Sequence, residues 1–455
     1  MTIQNDSTTI TLYAGRRVIV VGLGRSGMAA AHALRDGGAT VLCWDDGEAA
    51  RTTAASDRFD IVNPTDSGAL DGVACMILAP GIPLTHPRPH PAVKAAHDAG
   101  VEIIGDIELL FRARPAARYV GITGTNGKST TTALIGHILT SAGIKAAIGG
   151  NIGIPALSLP DADVYVLEMS SYQLELTPSP AFDIAVLLNI TPDHLDRHGG
   201  MPGYVDAKRR ILRPRTADSL SVIGTDSEIT AEIAADLRGR NPAGIAEIGR
   251  TSQPVADLIA NGRCPAIAGD HGIQNAAAAF AVAKRLGLTD ADILCGLETF
   301  PGLAHRQERV ATLDGITFIN DSKATNAEAA ARALSAFDRI YWIAGGRDKN
   351  DGYAPLDSYL PRVRQAFLIG EAADAIDLWI AGRIPTTRSG DLSAAIHAAR
   401  AAARNDDNPG PVLLSPACAS FDQFPNFEIR GETFKNIVLA LPATTRIVHG
   451  AKEAA

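Results

Sequence analysis

Residues 120–132 read VGITGTNGKSTTT, and this stretch decides the fold predicted for the middle of the chain. The residues before Gly124 continue an apolar run that is typical of a buried strand. A glycine-containing turn follows, and a helix is predicted to begin at Lys128. A strand, a glycine-rich turn and a helix in this order form the standard phosphate-binding unit of α/β proteins.

The loop departs from the strict phosphate-loop pattern G-x-x-x-x-G-K-[ST]. That pattern requires glycine at position 122, where the sequence has Ile122, so Gly124 must supply the turn. Lys128 can still reach β- and γ-phosphates, and Ser129 or Thr130 can ligate Mg²⁺. The loop therefore predicts a nucleotide site, with a lysine-containing turn that binds nothing as the alternative.

Polar residues also follow two later strands. Glu168 ends the strand VYVLE, and Asp193 and His194 come just after the strand IAVLLNI. Parallel strands bring their carboxyl ends to one edge of a sheet, where α/β proteins bind ligands. We expect Lys128, Glu168 and His194 to meet there, although a single strand-end glutamate is usually only solvated.

An earlier glycine motif, Gly22-Leu-Gly24-Arg-Ser-Gly27, lies between a predicted strand and a predicted helix. Asp45 and Asp46 end the next strand, as in the dinucleotide-binding fold. Three interpretations stay open: NAD(P) binding, binding of another diphosphate such as a sugar nucleotide, and a tight turn without a ligand.

The last part of the chain repeats the α/β pattern. Polar loops follow three strands, at residues 321–326, 345–349 and 415–422, and two of the loops carry a lysine, so this edge is predicted to face anions. Cys418 has no histidine nearby in sequence and is interpreted as a packed thiol. The chain is thus predicted to have three α/β domains, at residues 1–105, 106–302 and 303–455.

Composition excludes several classes of protein. The net charge of −8 over 455 residues argues against general binding to nucleic acid or to an anionic membrane. The five cysteines contain no C-x-x-C pair, which is typical of a reduced, cytoplasmic protein. We find no signal peptide and no long apolar run, and without a coiled-coil pattern a monomer is expected.

Seven segments resemble one enzyme family, the Mur ligases, which build the peptide stem of bacterial cell-wall precursors. Six of them are GITGTNGKSTTT (121–132), GGNIG (149–153), LEMSSYQLE (167–175), NITPDHLDRH (189–198), GLAHR (302–306) and NDSKATN (320–326). The seventh, LLSPACASFDQFPNFEIRG (413–431), is similar to the members that add D-glutamate. The resemblance implies a Rossmann-like nucleotide-sugar domain, a central phosphate-loop ATPase domain and a Rossmann-like amino-acid domain.

The resemblance also implies the reaction. ATP would phosphorylate the carboxylate of UDP-N-acetylmuramoyl-L-alanine, and the amine of D-glutamate would then displace phosphate from the acyl phosphate. The implied cofactors are ATP, Mg²⁺ at two sites and a carbamylated lysine at Lys208. From the residues alone, Lys208 would be an ordinary lysine on a helix surface.

Site residues follow from the matching positions. ATP would be bound by Gly124, Thr125, Asn126, Gly127, Lys128, Ser129, Thr130, Asn275, Arg306 and Asp321. The nucleotide sugar would be bound by Leu23, Gly24, Asp46, Gly81, Asn151, Gln173 and His194. D-glutamate would be bound by Lys323, Thr325, Lys349, Ser420 and Phe427. The metal would be held by Ser129, Glu168, His194 and the carbamate on Lys208, and the catalytic set would be Lys128, Glu168, His194 and Lys208. The sequence departs from the family pattern at Asp46-Gly47, Ala79 and Gly272.

Three other functions compete with this one. A ligase like the folylpolyglutamate synthetases shares the central loop, but would not need the α/β unit that precedes it. An NAD-dependent oxidoreductase would use residues 22–27 and leave Lys128 unexplained. A nucleotide-binding regulator without activity would not need Lys128, Glu168 and His194 together.

Overall fold

The computed structural model describes residues 9–151, 153–179, 182–264, 266–267, 269–348 and 352–448. Within these ranges the strands form three sheets, and the predicted α/β class is confirmed. The chain divides after Phe300 into two compact units. The first unit holds two of the sheets, so a boundary near residue 105 stays a prediction.

The first sheet is parallel, with the order β3-β2-β1-β4-β5. Its strands are β1 (Arg17–Val21), β2 (Thr40–Trp44), β3 (Asp60–Ile61), β4 (Val73–Leu78) and β5 (Glu102–Ile104). The helices that follow them are α1 (Arg25–Asp36), α2 (Glu48–Ser56), α3 (Pro91–Asp98) and α4 (Asp106–Ala113). Gly27 lets α1 pack directly on the preceding turn, because a Cβ there would lie 1.8 Å from Gly22 O.

The second sheet is also parallel, with the order β11-β10-β9-β6-β8-β7. Its strands are β6 (Arg118–Thr123), β7 (Ala146–Gly150), β8 (Val164–Glu168), β9 (Ile184–Leu187), β10 (Leu220–Gly224) and β11 (Ile245–Ile248). The helices are α5 (Lys128–Ser141), α6 (Ser171–Glu175), α7 (Leu195–His198), α8 (Met201–Arg209), α9 (Glu228–Arg240), α10 (Val255–Ala260), α11 (Gly269–Arg285) and α12 (Asp290–Glu298). Since β8 and β9 both pair with β6, the loops after these three strands lie at one edge of the sheet.

The second unit contains the third sheet, with the order β16-β15-β14-β17-β13-β12-β18. Its strands are β12 (Glu308–Leu313), β13 (Ile316–Asn320), β14 (Ile340–Gly345), β15 (Val363–Ile369), β16 (Thr386–Gly390), β17 (Val412–Leu414) and β18 (Arg446–Val448). The helices are α13 (Ala327–Ser335), α14 (Ala373–Ile380), α15 (Leu392–Arg404) and α16 (Phe427–Ala440). The sheet is parallel except at β12, which runs antiparallel to both β13 and β18.

Burial explains why the strands could be predicted from runs of apolar residues in the sequence. All residues of β8 and of β14 are buried, as expected for parallel strands covered by helices on both faces. Short 3₁₀ turns complete the described structure, at Thr11–Tyr13, Ala156–Ser158, Arg210–Leu212, Pro242–Gly244 and Ala354–Arg362. Among the described helices, none has both the length and the apolar composition that a membrane crossing requires.

Candidate active site

The loop between β6 and α5 has the geometry of an anion site at a helix N-terminus. Gly127 precedes α5 in the left-handed region, with φ 85°. A Cβ at this position would lie 2.4 Å from Asn275 Oδ1, so the loop and α11 are in direct contact. The structure thus brings Asn275 to the same loop as Lys128.

The segment after β9 holds this loop in place. Asn189 accepts hydrogen bonds from the backbone amides of Thr125 and Asn126, both at 2.9 Å. The hydroxyl of Thr125 accepts from Thr191 N at 3.0 Å and lies 3.1 Å from Tyr204 Oη. These contacts fix the conformation of the loop, which would lower the entropic cost of binding an anion there.

Two lysines share one backbone oxygen at the loop. Lys128 Nζ donates to Gly124 O at 3.0 Å and to Thr125 O at 2.9 Å. Lys208 Nζ also donates to Gly124 O, at 2.9 Å, and its side chain is 2% exposed. The interpretation of Lys208 as a helix-surface lysine was therefore wrong: packing of α8 against the loop buries the amine. Burial, reinforced by the charge of Lys128, lowers the pKa of Lys208 to about 7.

Glu168 provides a carboxylate oriented for a ligand. Its Oε1 accepts from Asn151 Nδ2 at 2.9 Å, and the residue is 1% exposed. Its Oε2 is buried and has no hydrogen-bond partner in the part of the chain that the structure describes. A buried carboxylate oxygen without a partner is costly, and a cation or a ligand hydrogen would stabilise it.

This donor set suits Mg²⁺. In the described ranges, no three His, Cys, Asp or Glu side chains converge as a preformed cluster. Mg²⁺ is commonly held by one or two carboxylates together with water and substrate phosphates. Glu168 at the end of β8 and Ser129 in the first turn of α5 match this type of site.

His194 lies at the same sheet edge, immediately before α7. It is in the left-handed region, with φ 51°, and its side chain is half exposed. Its Nε2 lies 3.5 Å from Asp193 Oδ2, and its ring packs 5.2 Å from the ring of Tyr172. The sheet order places the loops after β6, β8 and β9 at one edge, and a shared site for Lys128, Glu168 and His194 stays a prediction.

Gln173 and Asn151 line a cavity of about 250 Å³. Gln173 Oε1 accepts from Ser170 N at 3.0 Å in a capping box at the start of α6, so its amide NH₂ is the group that can face a ligand. Arg25, at the start of α1, also lines this cavity and donates to Gly153 O at 2.7 Å. The cavity therefore lies between the first glycine motif and the edge of the second sheet where Glu168 ends β8.

Asp45 stabilises the glycine turn after β1. Asp45 Oδ2 accepts from Leu23 N at 2.7 Å, and Oδ1 accepts from Gly47 N at 2.8 Å. Gly24 follows as the exposed N-cap of α1. Asp45 thus positions the turn, a role that the sequence does not predict.

A second cavity, of about 470 Å³, lies next to this turn. It is lined by Trp44, Asp46, Arg88, His90 and several prolines. Asp46 Oδ2 lies 3.0 Å from His90 Nε2, and this hydrogen bond is the main reason that the pKa of Asp46 is below its ordinary value. Gly81 is exposed on the segment that runs from Ala79 toward the prolines of this cavity.

In the second unit, Asp321 follows β13 and is 5% exposed. Its carboxylate accepts from Gln307 N at 3.1 Å and from Ser415 Oγ at 2.8 Å. Burial raises the pKa of Asp321 to about 6, against the lowering effect of these bonds and of the nearby Arg306. Arg306 itself is exposed, and its charge acts on the Asp321 carboxylate. That both residues contact ATP stays a prediction.

The predicted amino-acid residues partly converge. Lys323 Nζ lies 5.7 Å above the ring of Phe427, which begins α16. Thr325 N donates to Lys323 O at 2.9 Å, and Ser420 is buried in the loop after β17. Lys349 lies outside the described residues.

A buried arginine joins these loops. Arg430 is 1% exposed and donates to Ser322 Oγ at 3.0 Å and to Ser322 O at 2.9 Å. It also donates to the carbonyl oxygens of Cys418 and Ala419. Burial lowers its pKa to about 10 and raises that of the Cys418 thiol to about 11, consistent with a packed thiol.

The sequence alone does not identify Arg197, Tyr172 and Arg430 as residues that hold the site together. All three lie within the quoted motifs, but their sequence context gives only a charged or aromatic residue on a helix. The signal that identifies them is the set of long-range contacts that each one makes.

Family models match all three parts of the chain. The model described as "Mur ligase MurD-like, N-terminal domain" matches residues 16–105, "Mur ligase middle domain" matches 122–263, and "Mur ligase, glutamate ligase domain" matches 305–418. Each range contains most of the strands of one sheet, although β18 of the third sheet lies beyond residue 418.

Curated relatives match nearly the full length. A UDP-N-acetylmuramoylalanine–D-glutamate ligase of Paramagnetospirillum magneticum is 46% identical, over 95% of this chain and 98% of its own. One from Phenylobacterium zucineum is 47% identical, over 94% of this chain and 97% of its own.

Solved structures agree on the fold. UDP-N-acetylmuramate-alanine ligase MurC from Thermotoga maritima superposes with a TM-score of 0.54 at 16% identity, covering 93% of this chain and 99% of that one. MurF from Acinetobacter baumannii gives 0.52 at 21% identity, covering 74% of this chain and 82% of that one. Given the family models and the relatives above 40% identity, the chain belongs to the Mur ligase family, within the group of the UDP-N-acetylmuramoylalanine–D-glutamate ligases.

Proposed function

We propose that this chain is an ATP-dependent ligase that joins D-glutamate to UDP-N-acetylmuramoyl-L-alanine, a step in peptidoglycan precursor synthesis. The reaction is the one that the names of its full-length relatives describe for those proteins. The observation that carries the proposal is the edge of the second sheet, where the phosphate loop, Glu168 and the buried Lys208 meet.

Positioning and charge neutralisation explain the first chemical step. An oxygen of the substrate carboxylate attacks the γ-phosphorus of ATP, the bond to the β-phosphate oxygen breaks, and ADP leaves. The amides of residues 124–127 and the ammonium of Lys128 would hold the β- and γ-phosphates, and Asn275 on α11 would approach the nucleotide from the other side of Gly127. When bound, Mg²⁺ neutralises phosphate charge as a Lewis acid.

Metal binding at two sites belongs to this proposal. Glu168 and Ser129 would hold one ion, and His194 together with carbamylated Lys208 would hold a second. The unpartnered Glu168 Oε2 supports the first site. The low pKa of Lys208 supports the carbamate, because only a neutral amine reacts with carbon dioxide.

The second chemical step would use the loops of the third sheet. The amine of D-glutamate attacks the acyl carbon, and phosphate leaves with the electron pair of the broken carbon–oxygen bond. Lys323 and Ser420, and Lys349 by resemblance, would bind the two carboxylates of D-glutamate, with Thr325 and Phe427 completing the site. Arg430 supports this site by holding the loops after β13 and β17 together.

Substrate positions in the first unit complete the proposal. The nucleotide sugar would extend along the two cavities, with Trp44 and Asp46 in one and Asn151 and Gln173 in the other. Leu23, Gly24 and Gly81 would border it near the first glycine turn. The three domain boundaries, a monomeric state and a cytoplasmic location also remain proposals.

Phosphate release from ATP tests the function directly. UDP-N-acetylmuramoyl-L-alanine is supplied with D-glutamate, L-lysine or diaminopimelate in turn, and we expect release with D-glutamate. Release only with L-lysine or diaminopimelate would assign another acceptor amine. NADH oxidation without ATP, or release with a folate acceptor, would support one of the competing functions instead.

A further inference from the structure

We propose that Arg197 is a positioning residue that sets the affinity for the nucleotide sugar by fixing residues 80–86 against α7. This inference rests on the proposed function, since it concerns the same substrate. Arg197 lies outside the residues expected to touch substrate, and its role follows from the contacts that its guanidinium makes.

The guanidinium of Arg197 donates to three backbone carbonyls of one segment. The distances are 3.3 Å to Pro80 O, 3.3 Å to Ile82 O and 3.0 Å to His86 O. A planar group with five N–H donors can satisfy several acceptors at once, which the point charge of lysine cannot do. One side chain of the second sheet's domain therefore fixes the course of a segment that follows β4 of the first sheet.

The segment that Arg197 holds contributes to both cavities of the first unit. Pro80 lines the cavity that contains Asn151 and Gln173. Pro83, a few residues later, lines the cavity that contains Trp44 and Asp46. A shift of this segment would change the shape of both cavities together.

Arg197 also contacts the residues around His194. Arg197 N donates to His194 O at 3.0 Å, within the single turn of α7. The Arg197 guanidinium lies 4.6 Å from the centre of the Tyr172 ring, and Tyr172 also packs against the rings of His194 and His198, at 5.2 Å and 5.3 Å. Arg197 is thus anchored on the central domain while it holds the segment from the first.

Binding of UDP-N-acetylmuramoyl-L-alanine without ATP, measured by titration calorimetry, tests the inference. We expect Arg197→Ala to weaken binding about tenfold or more, because the substrate would then have to order a segment that the three hydrogen bonds no longer hold. The affinity of Arg197→Lys for the nucleotide sugar should lie between those of Arg197→Ala and the wild type. Arg240→Ala, an exposed arginine on α9 paired with Asp236, is the matched control and should bind as the wild type does.

Steady-state kinetics separate positioning from general damage. In Arg197→Ala, KM for the nucleotide sugar should rise about tenfold, while KM for ATP and for D-glutamate changes by less than about twofold. Unchanged nucleotide-sugar binding in both Arg197 variants would overturn the inference, and so would a fall in kcat with no change in KM. If Arg197→Ala does not fold, Arg197→Lys decides alone. If the wild type itself binds no nucleotide sugar, the proposed function fails instead.

Discussion

At pH 7, Lys208 is about half neutral, because its pKa is lowered to about 7. A lysine with the ordinary pKa of 10.5 is neutral in roughly one molecule in 3,000 at that pH. Burial therefore increases the fraction of amine able to react with carbon dioxide by about a thousandfold. The predicted carbamate depends on this increase, so replacing Lys208 is the most informative perturbation of the site.

We expect Lys208→Met to fold well and to lose most activity, on the order of 100-fold or more in kcat. Methionine fills a similar volume but has no amine to protonate. Protonating the Lys208 amine costs about 5 kcal/mol more in the folded protein than in the unfolded chain. The folded pKa is below the unfolded one, so the unfolded chain binds the extra proton between pH 7 and 10.5. Wild-type stability should therefore fall as pH drops through that window, and Lys208→Met should lack this dependence.

Three measurements make up the assay. Denaturant unfolding between pH 6.5 and 10 follows the free energy of unfolding, and phosphate release follows activity. Carbon-13 NMR with labelled bicarbonate detects a carbamate, whose signal should be absent in Lys208→Met. In Lys208→Ala, bicarbonate or a short carboxylate at millimolar concentration should restore part of the activity, since it can occupy the space of the missing carbamate.

Full activity of either variant would refute the reasoning, because no carbamate can then be required. A wild-type protein without a carbamate signal in the presence of bicarbonate and Mg²⁺ would refute it as well. Loss of activity together with loss of folding would show only that Lys208 supports the structure, and for this reason stability is measured beside activity.

Three further predictions concern residues near nucleotide and substrate. Glu168→Gln should lower kcat about 100-fold and leave the melting temperature unchanged or raised, because it removes the charge of a buried carboxylate with an unpartnered oxygen; calorimetry and phosphate release measure both. Gly127→Ala should destabilise the protein by more than about 2 kcal/mol and weaken ATP binding, since it adds both backbone strain and a 2.4 Å approach to Asn275. Gly143→Ala, also at positive φ but in open space, is its control and should cost only about 1–2 kcal/mol in denaturant unfolding. The pKa of Asp321 is raised to about 6, so wild-type stability should fall as pH rises from about 4 to 6, and Asp321→Asn should remove this slope in pH-dependent unfolding.

Each of these predictions has a contrary outcome. Normal turnover in Glu168→Gln would exclude a metal or proton role for that carboxylate. Equal losses of stability in Gly127→Ala and Gly143→Ala would mean that the approach to Asn275 adds no cost beyond backbone strain. An unchanged stability slope in Asp321→Asn would assign the titration to another group.

Most of the fold could be predicted from the sequence because parallel strands buried on both faces read as continuous apolar runs. The strands before Gly22, Gly124 and Asp321, for example, have few polar positions. The antiparallel pairing of β12 with β18 could not be predicted, since β18 has only three residues and all are exposed. Short exposed strands form only because a neighbouring strand pairs with them, and their sequences show little alternation of apolar and polar residues.

The candidate site could be predicted where charged or metal-binding side chains follow the ends of strands, as for Lys128, Glu168 and His194. It was not predictable where tertiary packing decides the environment. The segment around Lys208 contains arginines and an aspartate and looks like a solvated helix, yet the helix places this one amine under the phosphate loop. Asp45, Arg197 and Arg430 were missed for the same reason, because their partners are distant in sequence.

The contact between Gly127 and Asn275 has a consequence for how this protein can change. Every amino acid other than glycine carries a Cβ, and any Cβ at 127 would meet the amide oxygen of Asn275. Every substitution at position 127 would displace the Asn275 side chain and place a residue with a Cβ at positive φ, so each would disturb a residue predicted to bind ATP. An inhibitor whose binding depends on the backbone of Gly127 would therefore leave the protein few one-step routes to resistance at that position.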